Sequence, residues 1–291
     1  MAIHSERMTD AKLRYIDLLK KALTCYLYRR EPEFVPMRNW HDTGFIARLI
    51  KGTLIALLRP SKWRLTSIET LDERTQSEGR GYSRGAHTMI GLKRLANIEE
   101  CVATLIKENI PGDFIETGAW RGGSTIFMRG LLWAHEVSDR TVWVADSFAG
   151  LPKPDPKHAA DSGAYWHEYE DLAVSLEEVQ ENFKSYNLLD SQVRFLKGWF
   201  SDTLPTAPIE KLAILRLDGD MYGSTMDALN ALYHKLEVGG FLIVDDYNVP
   251  ACQKAILDFR QKHGITEQVQ EIDWAGVYWR KEKPTTAAPK A

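Results

Sequence analysis

The run P-G-D-F-I-E-T-G-A-W-R-G-G-S-T, from Pro111 to Thr125, leaves few folds open to this chain. Asp113 to Thr117 is a short apolar run closed by an acid, the pattern of a buried parallel strand that ends at a site. Gly118, Gly122 and Gly123 follow, and without a Cβ they let the backbone turn sharply and approach a ligand. Ser124 is placed to cap an apolar helix over Thr125 to Trp133. Strand, acid, glycine loop and helix in this order form the first βα unit of a nucleotide-type site at the carboxyl edge of a parallel sheet.

The loop is not the dinucleotide fingerprint. That motif requires G-x-G-x-x-G, whereas Gly118 to Gly123 reads G-x-x-x-G-G. Glu116 at the loop's opening would repel a pyrophosphate and attract an ammonium or sulfonium group, and S-adenosylmethionine carries both cations. The competing reading is that Glu116 only closes a strand and the glycines only turn the chain.

Downstream, strands and helices alternate at least five times, which implies a parallel sheet wrapped by helices on both faces. Thr141 to Ala145 is the second strand, and Asp146 at its end occupies the place where a carboxylate holds a ribose diol. Ser147 to Ala173 is long and polar, a length more often functional than idle. Leu176 to Tyr186 reads as a helix. Val193 to Leu196 is a strand leading into Gly198-Trp199-Phe200, where Trp199 fits either an adenine-stacking face or a core aromatic. Leu212 to Leu217 ends in Asp218-Gly219-Asp220, Ser224 is placed to cap a helix over Thr225 to Leu236, and Phe241 to Val244 ends in Asp245-Asp246. Ala251 to His263 is a helix, and Gln268 to Arg280 offers two short strands.

Asp218, Asp220, Asp245 and Asp246 follow successive strands and so converge on one edge of the crevice. Unpaired, they would repel one another strongly, and a cation resolves this. Oxygen-only donors point to Mg²⁺, Mn²⁺ or Ca²⁺. A D-x-D pair is also a feature of metal-dependent glycosyltransferases, against which stands the cation-seeking Glu116.

Upstream, Ala11 to Tyr28 and Phe45 to Leu58 have helical spacing, Thr66 to Arg84 reads as a mobile loop able to act as a lid, and Thr88 to Asn109 returns to helix. This divides the chain into an N-terminal helical extension with a lid loop (1–85), a catalytic domain (86–280) and a disordered tail (281–291). At 291 residues, one large α/β domain with an appendage is the expected size. A formal charge of -3 argues against nucleic acid as a partner. Cys25, Cys101 and Cys252 form neither a disulfide framework nor a thiolate metal site, which fits a reducing cytoplasm. The polar amino terminus and the short apolar runs argue against export and stable membrane insertion.

The motifs F-I-E-T-G-A-W-R-G-G-S-T-I-F-M-R, V-A-D-S-F-A-G-L-P, L-K-G-W-F-S-D-T-L-P, L-R-L-D-G-D-M-Y-G-S-T and I-V-D-D-Y together resemble the macrocin O-methyltransferase (TylF-type) family, from about Arg14 to Arg280. The resemblance implies a class I methyltransferase (Rossmann-like) fold with a mostly parallel seven-stranded sheet. It also implies S-adenosylmethionine held around Glu116, Thr117, Gly118, Ala119 and Ser124, at Asp146 and Ser147, along Gly198, Trp199 and Phe200, and beside Asp218. Mg²⁺ (or Mn²⁺) is implied at Asp218, Asp245 and Asp246, completed by two neighbouring sugar hydroxyls. Asp220 matches the base of some members; others use a histidine three residues after the first metal aspartate, where this chain has Met221. His87 lies on the lid side with its role open. The implied activity is methylation of a sugar hydroxyl on a natural-product glycoside carrying a vicinal diol, by a homodimer or larger assembly. The nearest alternative is a catechol-type metal-dependent O-methyltransferase.

Overall fold

The structure, a computed structural model, describes residues 2–36, 53 and 66–284. Its frame is a seven-stranded sheet in the order β5-β4-β3-β6-β7-β9-β8. These strands are β3 (Asp113–Thr117), β4 (Val142–Asp146), β5 (Val193–Lys197), β6 (Leu212–Leu217), β7 (Leu236–Val244), β8 (Gln270–Glu271) and β9 (Val277–Arg280). The pairs from β5 to β7 are parallel; β9 runs antiparallel to β7 and to β8. The order turns back between β3 and β6, so the crevice opens at their carboxyl ends.

Alternation along the strands feeds two apolar layers. Phe114, Val142, Val144, Ile214 and Ile243 pack beneath α1 (Ala2–Leu23), α3 (Leu92–Lys107), α4 (Gly123–Ala134) and α5 (Leu176–Ser185). Ile115, Ala145, Leu215, Leu217 and Leu242 face α7 (Tyr222–Leu232) and α8 (Pro250–His263). Two one-turn helices, α2 (Glu73–Ser77) and α6 (Phe200–Thr203), a separate antiparallel pair, β1 (Glu33–Pro36) with β2 (Thr66–Glu69), and five short 3-10 helices complete the described elements. No described helix is long and apolar enough to cross a membrane.

Several sequence expectations are corrected. The first helix begins at Ala2 and ends at Leu23, short of Tyr28, because Cys25 takes a left-handed conformation (φ 54). The span from Thr66 to Arg84 is not a structureless loop: it carries β2 and α2, with Asp72 Oδ1 accepting the Thr75 amide at 2.8 Å and Trp274 Nε1 donating to the Glu78 carbonyl at 2.9 Å. The tail does not begin at Lys281, whose buried ammonium donates to the Tyr233 and Leu236 carbonyls. The helix expected over Phe45 to Leu58 and residues 285–291 lie outside the described residues.

Candidate active site

The glycine loop takes its shape from its two neighbours in the sheet. Gly118 donates its amide to the Ala145 carbonyl at 2.8 Å and has φ +94; a Cβ there would sit 1.6 Å from the Asp218 carbonyl oxygen. Only glycine fits both the conformation and the space. Asp146 then fixes the turn. Its Oδ2 accepts the Ala119 and Trp120 amides at 2.7 and 3.3 Å, and its Oδ1 accepts the Phe148 amide at 2.7 Å. Burial raises the Asp146 carboxyl, and these amides pull it back toward ionisation. The acid expected to meet a ribose thus also builds the loop; its Oδ1 accepts the Ser147 hydroxyl as well, at 3.4 Å, and this contact and the 3.3 Å one to the Trp120 amide are its two long bonds, the ones a ligand hydroxyl would replace most easily.

Ser124 is not the helix cap: α4 starts at Gly123, Gly122 holds the cap position with φ 84, and Ser124 is buried in the first turn. Ser224 likewise lies inside α7, whose cap position is Met221.

Beyond the loop opens a cavity of about 970 Å³. Its walls include Glu116, Gly118, Ala119, Ser124, Asp146, Ser147, Trp199, Phe200 and the acids Asp218, Asp220, Asp245 and Asp246. Of the sequence-derived site residues, Thr117 and Gly198 stand behind the wall: Thr117 is buried with its hydroxyl 3.4 Å from the Arg216 carbonyl, and Gly198 donates its amide to the Asp146 carbonyl at 3.0 Å. Trp199 is 41 % exposed, so it is not a core aromatic. His87 is not part of the cavity wall; its Nδ1 lies 2.8 Å from the Tyr186 hydroxyl. Arg80 and Tyr82 line the space from the stretch expected to act as a lid; Asn248 and Trp274 line it too, and nothing in their local sequence marks them for it.

Carboxylate oxygens of Asp218, Asp245 and Asp246 lie within 4.8 Å of one another. The expectation that these acids are unpaired fails, because two buried arginines compensate part of the cluster. Arg216, fully buried in β6, donates from Nη1 to Glu116 Oε1 and to Asp218 Oδ2 (2.7 Å), and from Nη2 to Asp245 Oδ1. Its contact with Glu116 follows from register, since the two residues are partners across β3 and β6. Arg94 on α3 bridges Asp245 Oδ2 and Asp273 Oδ2, the latter at 2.8 Å. Both were overlooked in the sequence, although an arginine inside L-A-I-L-R-L is a signal: a charge in a buried strand needs a partner.

The compensation is incomplete. Glu116 Oε2 has no hydrogen-bond partner among the described residues, and burial pushes this carboxyl up to about 8 even against the pull of Arg216. Asp220 is pushed up to about 7 by burial, then by the charges of Asp218 and Asp245. Asp218 rises to about 6 from burial and from Asp245, with Arg216 opposing. Asp246 is raised by burial and by the other three aspartates. Asp220 has φ 55, uncommon for a residue with a side chain, and its amide donates to Asp246 Oδ2 at 3.1 Å. Such a set of hard oxygens could hold a cation.

Comparison with known proteins identifies the family of the chain. The Macrocin-O-methyltransferase (TylF) family matches residues 12–281. The chain belongs to that family. This TylF-family protein is 47 % identical over 271 residues to the mycinamicin III 3''-O-methyltransferase of Micromonospora griseorubida, covering 92 % of this chain and 96 % of the relative. It is 54 % identical over 217 residues to the demethyldecarbamoylnovobiocin O-methyltransferase of Streptomyces niveus, covering 74 % and 83 %. The solved structure of the O-methyltransferase NovP superposes with a TM-score of 0.79 at 45 % identity, over 94 % of this chain and 100 % of that one. The TylF-family chain is therefore an S-adenosylmethionine-dependent O-methyltransferase with the class I fold. The glycosyltransferase reading of the D-x-D pair falls with this.

Proposed function

We propose that the protein transfers the methyl group of S-adenosylmethionine to a hydroxyl on the sugar of a natural-product glycoside, with a divalent cation. The observation that carries this reading is the meeting of Asp218, Asp245 and Asp246 in the cavity that the glycine loop enters. The donors fit the ion. They are hard oxygens suited to Mg²⁺ or Mn²⁺, and each carboxylate has lone pairs beyond those given to Arg216, Arg94 and the Asp220 amide. The cavity also fits the methyl donor: the unpartnered Glu116 Oε2 suits its ammonium, Asp146 its ribose, and half-exposed Trp199 with Phe200 a planar base.

A bound divalent ion would supply Lewis acidity toward an acceptor hydroxyl that is otherwise a poor nucleophile at neutral pH. Asp220 takes the proton, its affinity raised toward neutrality by burial and by its neighbours' charges. Glu116 and Asp146 hold the donor so that its methyl faces the acids, and this alignment of two reactants supplies much of the acceleration. An acceptor with two adjacent hydroxyls suits an ion that keeps open positions. Mycinamicin III and demethyldecarbamoylnovobiocin are the starting acceptors, since the named relatives methylate these compounds. We also propose self-association through α1, which leaves Leu13 and Leu18 each 54 % exposed, to be read by light scattering.

Calorimetric titration of S-adenosylmethionine and S-adenosylhomocysteine, with and without Mg²⁺, tests the site. Wild type should bind both, and Asp146→Ala should bind at least tenfold more weakly, because it loses the ribose partner and the loop's anchor together. Equal affinity in the variant would refute the assigned donor site.

A further inference from the structure

The segment 147–173 supplies Leu151, Pro152, Lys153, His158, Trp166 and Leu172 to the walls of the cavity. One deeply buried acid fastens it to the rest of the site. Asp161 closes a 3-10 turn over Ala159–Asp161 and is 1 % exposed. Its Oδ1 accepts the Tyr222 amide at 2.6 Å and its Oδ2 the Gly223 amide at 2.9 Å. These are the first two N–H groups of α7, donors that no turn of the helix can satisfy, and Met221 at the cap position has no side-chain acceptor. Asp161 is therefore the cap of a helix that begins 61 residues later in the chain. Its negative charge at the positive end of α7, shared over two short bonds, strengthens the contact.

The fit is close. A Cβ on Gly223 would lie 2.9 Å from His158 Cδ2 and 3.4 Å from Asp161 Oδ2, and the rings of His158 and Tyr222 are 5.4 Å apart. The Tyr222 hydroxyl in turn donates to Asp258 Oδ2 on α8 at 3.0 Å, so the start of α7 is held from two sides.

Asp220 stands two residues before this anchored turn, in the left-handed conformation (φ 55). A residue with a side chain stays there only when its surroundings over-determine it. On the amino side the Asp220 amide is held by Asp246 Oδ2. On the carboxyl side the fixed points are the two amides held by Asp161. We propose that Asp161 is a positioning residue that keeps Asp220 in its reactive conformation and seats the 147–173 segment through the same contact. Displacement of the segment then frees the start of α7 and lets Asp220 relax, so the base is set only while the cavity wall is in place. The inference rests on the reading of Asp220 as the base.

Hydrogen exchange at the Tyr222 and Gly223 amides of the full chain, beside methyl-transfer kinetics, tests it with Asp161→Ala and the milder Asp161→Asn. Ser175→Ala serves as comparator, because Ser175 Oγ caps α5 through the Glu178 amide at 3.1 Å and touches neither Tyr222 nor Gly223. Loss of the cap should speed exchange at both amides about five- to tenfold. Asp161→Asn keeps one carbonyl acceptor but turns an NH₂ toward the other amide, so it should speed exchange at one of the two and still fold if the alanine variant does not. In both variants kcat at saturating substrates should fall tenfold or more with a smaller change in S-adenosylhomocysteine affinity, while Ser175→Ala leaves exchange at 222 and 223 and kcat as in wild type. Unchanged exchange in the Asp161 variants would overturn the proposal, and so would accelerated exchange with wild-type kcat. A wild type unable to methylate any glycoside would instead refute the functional reading, with the exchange comparison still deciding whether Asp161 holds the start of α7.

Discussion

Replacing Arg216 with methionine keeps most of the side chain's volume and removes the one cation that Glu116, Asp218 and Asp245 share. All of the arginine and nearly all of Glu116 and Asp245 are shielded from water. Water can reach Asp218, whose side chain is 27 % exposed, but it cannot replace the lost partner at Glu116 and Asp245, and breaking a buried pair on one side costs about 3–5 kcal/mol. For a chain of this size that is a fall in melting temperature on the order of 10 °C. The half-exposed pair between Arg129 Nη2 and Asp190 gives the scale for comparison: Asp190 is 41 % exposed, and Arg129→Met should cost about 1 kcal/mol or a little more. The loss in Arg216→Met should also depend on pH. Its orphaned carboxylates escape part of the penalty by taking up protons, so the destabilisation should be largest near pH 8 and shrink toward pH 5.5. Thermal and urea unfolding of both variants at the two pH values measures this. A loss at pH 8 no greater than that of Arg129→Met, or one independent of pH, would refute the argument that Arg216 is the counter-charge of the cluster.

Three further outcomes follow from the same geometry. In metal-free buffer the wild-type protein should lose stability as pH rises from about 5 to 8, because Glu116, Asp220 and Asp218 have folded-state values of about 8, 7 and 6, above their unfolded values, so the folded state binds more protons in that window; Mg²⁺ should restore more at pH 8 than at pH 5.5, and a flat melting temperature across this range would contradict it. Gly118→Ala should cost about 3 kcal/mol or more or yield insoluble protein, since its Cβ meets the Asp218 carbonyl oxygen, whereas Gly264→Ala, also at positive φ (+61) but with nothing within 4 Å, should cost about 1–2 kcal/mol; equal losses by urea titration would show that backbone strain alone decides. Asp220→Asn should lower kcat by about 10²–10⁴ and leave S-adenosylhomocysteine affinity within a few fold, and a kcat near wild type would remove Asp220 from the role of base.

The sheet was legible because each strand of the crevice is an apolar run closed by an acid or a glycine, a local pattern that needs no knowledge of neighbours. That pattern located β3, β4, β6 and β7 and placed Asp146, Asp218, Asp220, Asp245 and Asp246 on one edge. What it could not give was pairing. Arg216 meets Glu116 only because β3 and β6 lie side by side in a particular register, and Arg94 reaches Asp245 from a helix about 150 residues earlier. The caps failed for a related reason. Ser124 and Ser224 have the right chemistry for a cap, yet the amides opening α7 are met by Asp161 from a different part of the chain. Lys281 looked like the start of a solvated tail, but its ammonium is taken up by the carbonyls of Tyr233 and Leu236.

We propose that the three clustered carboxylates hold a cation on which methyl transfer depends. Transfer of radiolabelled methyl from S-adenosylmethionine to a glycoside acceptor, measured in a chelator and again after Mg²⁺ is restored, tests it most directly. Transfer should be lost in the chelator and return with Mg²⁺ in the wild type, but fail to return in Asp246→Asn. Transfer that persists undiminished in the chelator would contradict it.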